Sequence, residues 1–354
     1  PVPLSLHALS ETYRNVTAPK LESFFTNTLG GDEFSGGFLV AKNGVVLYET
    51  YRGYANYEKK IPMDARTPMH VASISKVFTA TVILKLVEEG YVELDGKVKT
   101  YLPDFPYEST TVRTLLNHRS GLPHYSRFSE SVKGWNHKKT LTNSEVLDYL
   151  KRYRFSLLFK TDTKFNYCNT NYAMLALIIE QVTGSDYAAA MEEWLFRPLG
   201  MKDSFVFDYF TQKEIVSQSY KSTKVNYGWD QFDAIYGDKN IYSTPRDLAK
   251  FDLATYAPGF LRKDLWQEAL NGYSYEKNGI NNYGLGYRMK EFETGQKVVF
   301  HNGWWHGNTS SYVTLKKDTV AIIGISNRYT KKVYQSMKLS ALFGDYPFEL
   351  ADME

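Results

Sequence analysis

Only one cysteine, Cys168, occurs in 354 residues; this rules out an intramolecular disulfide and leaves too few thiols for a structural zinc site. Runs of like charge are also missing. The 42 Lys and Arg against 39 Asp and Glu leave a net charge of +3 spread along the chain, so nucleic acid is not an expected partner. The longest apolar stretch, Val77 to Val87, is broken by Lys85 and falls short of the roughly 20 residues that a transmembrane helix needs. No transmembrane span is expected. The chain has no G-x-S-x-G elbow, no H-E-x-x-H helix and no G-x-x-x-x-G-K-[ST] phosphate loop. Its seven histidines show no metal-ligand spacing, and His118, His124 and His306 each read as a packed or solvated side chain. Neither a metal nor an organic cofactor is expected. No repeat with a period of roughly 20 to 50 residues and no low-complexity tract is present, which disfavours solenoids, propellers and disordered tails. The sequence opens at Pro1 with no initiator Met, basic region or apolar signal segment, so its true start is expected to have been removed either by export processing or by trimming.

What is present is the composition of a globular protein, 43% hydrophobic and 23% charged, long enough for one large or two moderate domains. The 28 tyrosines suit a pocket lining or carbohydrate platform, and equally a compositional habit. Gly37 to Ala41 and Val45 to Tyr51 are β-rich runs around Lys42-Asn43-Gly44, a strong hairpin signal. From Ser75 to Glu89 the apolar residues fall largely at helical spacing, with Gly90 as a stop, so Ser73 is expected at a helix start. Helical patterns at Asn143 to Arg152 and Tyr172 to Val182 lie among turn signals at Pro103, Gly121-Leu122-Pro123 and Pro198-Leu199-Gly200. Val298 to His301, Ser311 to Leu315 and Val320 to Ile325 read as strands, with a turn at Lys316-Lys317-Asp318, and Lys331 to Phe343 as a helix. Strands from both ends should join one sheet covered by helices, with the helical middle inserted and a pocket at the seam.

Three elements carry chemistry. Ser73 and Lys76 lie three apart at the start of the helical run, so they share a face and the ammonium reaches the hydroxyl. A serine is a weak nucleophile until a base takes its proton, and a lysine in a dry pocket can serve because desolvation lowers its pKa. A solvated pair would show the same spacing. Tyr167-Cys168-Asn169 precedes the second helical pattern; Asn169, Thr170 or Asn171 would suit a cap. Alternatively Tyr167 is a base beside Lys76 and Asn169 an amide donor to substrate, with Cys168 a small buried filler. His301-Asn302-Gly303 ends a strand ahead of Trp304-Trp305-His306-Gly307. It reads either as a glycine turn or as a cleft edge that offers a backbone amide to a substrate oxygen.

Together these elements resemble the serine beta-lactamase family in the broad sense: class C beta-lactamases, D,D-peptidases, and related esterases and D-aminopeptidases. The resemblance extends to Thr67-Pro68-Met69-His70-Val71-Ala72-Ser73, Leu115-Leu116-Asn117-His118-Arg119-Ser120-Gly121-Leu122-Pro123, Pro198-Leu199-Gly200-Met201 and Ile241-Tyr242-Ser243-Thr244-Pro245-Arg246-Asp247-Leu248, and covers roughly residues 20 to 345. It implies a two-lobe α and β fold of the beta-lactamase/transpeptidase type. A mainly antiparallel sheet is flanked by helices, with an α/β lobe near residues 1–72 and 232–354 and a mostly helical lobe near 73–231, in one catalytic unit. By the same resemblance Ser73 is the nucleophile, Lys76 and Tyr167 the proton-transfer pair, and Asn169 a partner of Lys76 and substrate. His301, Asn302, Gly303 and Trp304 contribute to substrate binding, and the backbone amides of Ser73 and Trp304 form the oxyanion hole. An extracytoplasmic location is implied too.

Where the beta-lactamase pattern has Lys-Thr-Gly, this chain has His301-Asn302-Gly303. A side chain largely neutral at pH 7 replaces a permanent ammonium, which weakens the anchoring of a substrate carboxylate. The expectation is therefore a serine hydrolase that forms an acyl-Ser73 intermediate on an ester, amide or peptide bond of a small molecule or peptide. A beta-lactamase or D,D-carboxypeptidase is the enzymatic alternative. A binding or scaffolding protein that kept the fold is the alternative of another class.

Overall fold

The computed structural model describes residues 6–350. Seven strands form its main sheet: β1 (Gly36–Lys42), β2 (Val45–Arg52), β3 (Asn281–Tyr283), β4 (Arg288–Glu291), β5 (Lys297–Trp305), β6 (Asn308–Leu315) and β7 (Val320–Ser326). The order is β2-β1-β7-β6-β5-β4-β3, and every pairing is antiparallel. The first hairpin turns at Asn43 and Gly44, both with positive φ, as an Asn-Gly turn favours. The expected union of the two chain ends is present: β1 pairs with β7 from Gly36 opposite Ser326 to Lys42 opposite Val320.

Both faces of this sheet are buried. Along its strands the side chains alternate: Leu39, Val299, Tyr312, Ile323 and Ile325 enter the larger core, while Phe38, Val40, Val298, Phe300, Val313 and Ile322 enter the smaller one. The smaller core is closed by helix α1 (Glu11–Phe24), through Leu21 and Phe24, and by the C-terminal segment Lys332–Leu342, through Val333 and Met337. That segment is a 3-10 helix, tighter than the helix expected there. The larger core holds α2 (Ser75–Glu88), packed against α4 (Asn169–Thr183), with α3 (Asn143–Tyr153) behind and α5 (Pro245–Ala254) along the sheet. Nearly every residue of α2 from Ser75 to Leu86 is buried. A helix apolar all round belongs inside, and this one runs through the centre of the molecule. Helix α3 starts at a capping box, Thr142 with Glu145.

Two details differ from the sequence reading. The helix after the serine begins at Ser75, and Ser73 occupies a separate 3-10 turn, Ala72–Ile74, just ahead of it. Helix α4 begins at Asn169, three residues earlier than expected, and none of Asn169, Thr170 and Asn171 caps it; the cap position is Cys168, whose side chain makes no capping bond. Thr170 and Asn171 are diverted to tertiary contacts, with Pro123 and Tyr125 and with Ser120 and His118 respectively. No helix among the described residues is long and apolar enough to cross a membrane.

The turn between β3 and β4 is pressed onto the central helix. Gly286 has φ +89, and a Cβ there would lie 2.4 Å from Ala80 Cβ and 3.3 Å from the Lys76 carbonyl. Positive φ and steric overlap act in the same direction. Gly286→Ala should therefore lose about 2–4 kcal/mol of unfolding free energy, read from chemical denaturation; a loss below about 0.5 kcal/mol would show that the turn moves freely on α2.

Candidate active site

The short strand Met69–His70 pairs with Ile241–Ser243 and delivers the chain to a strained turn. Ala72 has φ +50, a left-handed conformation that costs a residue with a Cβ roughly 1–2 kcal/mol. Its N–H is held by His70 Nδ1 at 3.0 Å, and the other ring nitrogen faces Asn240 Oδ1 at 3.1 Å. Because Nδ1 accepts, Nε2 carries the hydrogen, and burial keeps the ring neutral by pushing its pKa down to about 4. Ser73 follows directly. The turn is also pinned from the helix side, where Ser75 Oγ accepts from the Ile241 amide at 3.1 Å.

Lys76 is fully buried. Its ammonium lies 2.9 Å from Ser73 Oγ and 2.9 Å from the carbonyl oxygen of Asp238, and 4.8 Å from the centre of the Tyr167 ring. The structure therefore brings Ser73, Lys76 and Tyr167 together. It does not join Lys76 to Asn169: the second hydrogen bond of the ammonium goes to Asp238, and Asn169 Oδ1 is buried without a partner. Cys168 is buried, and its thiol is pushed up to about 11 by burial, as befits a filler.

His118 and Arg288, neither assigned a role from the sequence, border Tyr167. His118 is packed, as expected of an isolated histidine, with its ring centre 4.5 Å from that of Tyr167. Its Nδ1 accepts from the Cys168 amide at 3.1 Å and from Asn171 at 3.0 Å, which fixes the backbone next to Tyr167. Burial, with Lys76 and Arg288 nearby, holds this imidazole well below its ordinary range. Arg288, on β4, puts its guanidinium carbon 4.5 Å from the centre of the Tyr167 ring.

β4 covers β5 only as far as Phe300, so from His301 onward this edge of β5 is free to face the Ser73 turn. A Cβ on Gly303 would lie 2.6 Å from the Val71 carbonyl and 2.9 Å from Ala72 Cβ; only glycine lets the strand approach this closely. Ser310 Oγ donates to the same Val71 carbonyl at 2.7 Å, and Tyr334 donates to the Gly303 carbonyl at 2.9 Å. The cavity beside this edge measures about 540 Å³ and is lined by Ser73, Tyr167, Asn169, Arg288, Asn302 and Gly303 among others, with Trp304 at its rim. Trp304 is 62% exposed, its indole N–H bonded to the His306 carbonyl at 2.9 Å.

His301 does not line this cavity. Strand alternation turns it into the protein, where it is fully buried, with Nδ1 2.7 Å from the Asn302 carbonyl and Nε2 2.9 Å from the Tyr283 hydroxyl. The carbonyl requires a hydrogen on Nδ1, so Nε2 accepts from the tyrosine. Burial, then Arg288 and Lys76, keep the ring neutral. The cation that faces the cavity is Arg288, whose guanidinium makes no hydrogen bond or ion pair among the described residues and which is only partly buried.

The fold also gathers His306 with Asp230 and Asp233, a grouping invisible in the residue spacing. Its bonds are internal: Asp233 accepts from His306 Nε2 at 3.0 Å and from the Trp305 indole at 2.7 Å. Burial opposes the Asp233 charge, yet these partners hold its pKa below the ordinary value.

The Beta-lactamase family model matches residues 21–341. Penicillin-binding protein 4* of Bacillus subtilis is 29% identical over 94% of this chain and 77% of its own length. A D-aminopeptidase of Brucella anthropi is 27% identical over 77% of this chain, which spans 52% of that protein. Among solved structures, a penicillin-binding protein from Bacillus halodurans superposes with a TM-score of 0.78 at 23% identity, over 91% of this chain and 99% of that one. With so much of its length matched, the chain belongs to the Beta-lactamase family and is one of its serine hydrolases.

Proposed function

We propose that Ser73 Oγ attacks the carbonyl carbon of an amide or ester while its proton passes to the pair Lys76 and Tyr167. The observation that carries this reading is the 2.9 Å contact between Ser73 Oγ and a lysine buried away from water. As the C–O bond forms, the carbonyl oxygen takes the negative charge and is held by the backbone amides of Ser73 and Trp304. Collapse breaks the bond to the leaving group, which receives the proton, and water then hydrolyses acyl-Ser73 by the same path in reverse roles. The chain acts as one catalytic unit, with a mostly helical lobe near 73–231 set into an α/β lobe. Family membership supports an extracytoplasmic location.

The cavity's lining supports a narrower substrate class. Asn169 and Asn302 bring side-chain amides to the cavity lining, and an amide group can pair with the N–H and carbonyl groups of a peptide-like ligand. Arg288 offers an unpaired guanidinium, whose planar fork suits a carboxylate. An amide that carries a carboxylate near the scissile bond fits both. The name D-aminopeptidase borne by one relative accords with amide chemistry. Arg288 also strengthens the second reading, a D,D-carboxypeptidase or beta-lactamase, because it supplies the cation that His301 does not. A catalytically silent binder of this fold is separated from both by a labelled fluorophosphonate or penicillin, which forms a stoichiometric adduct only with a live nucleophile.

Ser73→Ala should lower kcat by about 10³-fold or more with the fold intact; near-normal turnover by the purified variant rules Ser73 out. Lys76→Ala, Tyr167→Phe and the double variant should be similarly impaired, since groups on one proton path are not additive. Losses that multiply in the double variant would place the two groups in separate steps. For Arg288, the comparison is between N-benzoylglycyl thioesters of thioglycolate and of its methyl ester. The acid should have the higher kcat/KM by about tenfold, and Arg288→Gln should erase that preference, as loss of a charge-assisted hydrogen bond implies; a preference that survives intact refutes the role.

A further inference from the structure

A second cavity of about 570 Å³ adjoins the active-site cavity at Asn281 and is lined by Lys164, Phe165, Ser274, Glu276, Lys277 and Asn278 among others. The two also share structural support. Lys164 and Phe165 lie just ahead of Tyr167, and the Phe165 ring centre is 6.1 Å from that of His118 and 5.7 Å from that of Tyr283. Lys277 and Asn278 stand on the loop that leads into β3.

The charges around this junction do not balance. Lys164 and Lys277 are exposed and enter none of the ion pairs of the described residues. Lys290 spends its ammonium on a neutral partner, Asn281 Oδ1, at 2.8 Å. Of the nearby carboxylates, Asp162 and Glu276 share the single guanidinium of Arg119, and Glu291 is engaged by Lys297 and Tyr275. Arg288 on the first cavity and Lys164 and Lys277 on the second therefore lack acidic partners among the described residues, against one carboxylate left over where Asp162 and Glu276 share Arg119. Unpaired charge of one sign lining a cleft focuses the field on a ligand of the opposite sign.

We propose that the second cavity is a subsite for a second anionic group of the substrate. It lies on the same side of the scissile bond as the carboxylate held by Arg288, so the preferred leaving group is a dicarboxylate, such as a C-terminal acidic residue. The inference rests on the reading of Arg288 and adds Lys164 and Lys277 as specificity-determining residues. They act on the ligand through exposed charge, so their effect is modest and weakened by salt.

N-benzoylglycyl thioesters of methyl thioglycolate, thioglycolate and thiomalate present none, one and two carboxylates; each kcat/KM is divided by the rate of alkaline hydrolysis to remove intrinsic reactivity. At low ionic strength the thiomalate ester should exceed the thioglycolate ester by about fivefold, the range of one or two exposed charge pairs. That ratio should fall towards one in high salt and in the double variant Lys164→Gln/Lys277→Gln, and below one in Lys277→Glu. A wild-type ratio of one, or a preference that the double variant retains, overturns the subsite. Failure of the Arg288 reading has a different signature, equal rates for thioglycolate and its methyl ester. Thermal melts of the lysine variants matching wild type exclude unfolding as the cause, as expected for exposed side chains.

Discussion

A lysine ammonium with no water around it must find its hydrogen bonds in the protein, and the architecture around Lys76 follows from that need. One bond goes to Ser73 Oγ and one to the Asp238 carbonyl, so the segment carrying Asp238 must pass directly against α2. That approach is possible because Gly237 has φ +94 and no side chain; a Cβ there would stand 2.4 Å from the Tyr172 carbonyl and 2.6 Å from Ala176 Cβ. Helix α4 is thereby locked to the same segment. Asp238 itself is held by the Tyr125 hydroxyl at 2.5 Å and faces Lys239 at 3.5 Å. Desolvation pushes the pKa of this second buried lysine down, against the pull of Asp238. An ion pair so deep is costly in isolation, and here it fixes the carbonyl that receives Lys76.

The distribution of cations explains how the cavity reads charge. At position 301 a histidine faces inward and is neutral, because burial and two neighbouring cations oppose its protonation. Arg288 stands on the neighbouring strand with its guanidinium directed past the Tyr167 ring, and guanidinium retains its charge at any physiological pH. The anion recognition proposed for Arg288 would thus not depend on a titrating group. Tyr167 is meanwhile bordered by Lys76 and Arg288 at 4.8 and 4.5 Å from its ring centre, so two cations contact the one aromatic ring.

How much of this was legible depended on sequence separation. Ser73 and Lys76 could be paired from the sequence because a helical start places residues three apart on one face; that the serine sits in its own turn was hidden, since it depends on the His70 contact with Ala72. The hairpin at Asn43-Gly44 and the strands of β5 to β7 were readable from local composition. The Asp238 carbonyl, 162 positions from Lys76, and Arg288 carry no local signal at all. His301 was misplaced for a specific reason. Both faces of the sheet are buried, so β5 reads Val298-Val299-Phe300 without alternation, and the parity that sends 301 inward and 302 to the cavity cannot be seen in the residue types. The histidine contacts with Tyr283 likewise required the fold.

The proposed oxyanion hole requires two backbone amides from distant segments to hold one spacing, and the structure links those segments twice. The direct link is the contact of Gly303 with the Val71–Ala72 turn, braced by Ser310. The indirect one runs through buried side chains: from Ala72 to His70, from His70 to Asn240, from Asn240 Nδ2 to the Asp233 carbonyl at 2.6 Å, and from the Asp233 carboxylate to the Trp305 indole. Every donor along this chain meets an acceptor, so none of its members can shift without leaving a buried group unpaired, at about 1–3 kcal/mol each. Losing two or more of these bonds costs more than a left-handed Ala72 would recover by relaxing, about 1–2 kcal/mol. The strained turn therefore persists because releasing it would break the bonds that set the position of Trp304 beside Ser73.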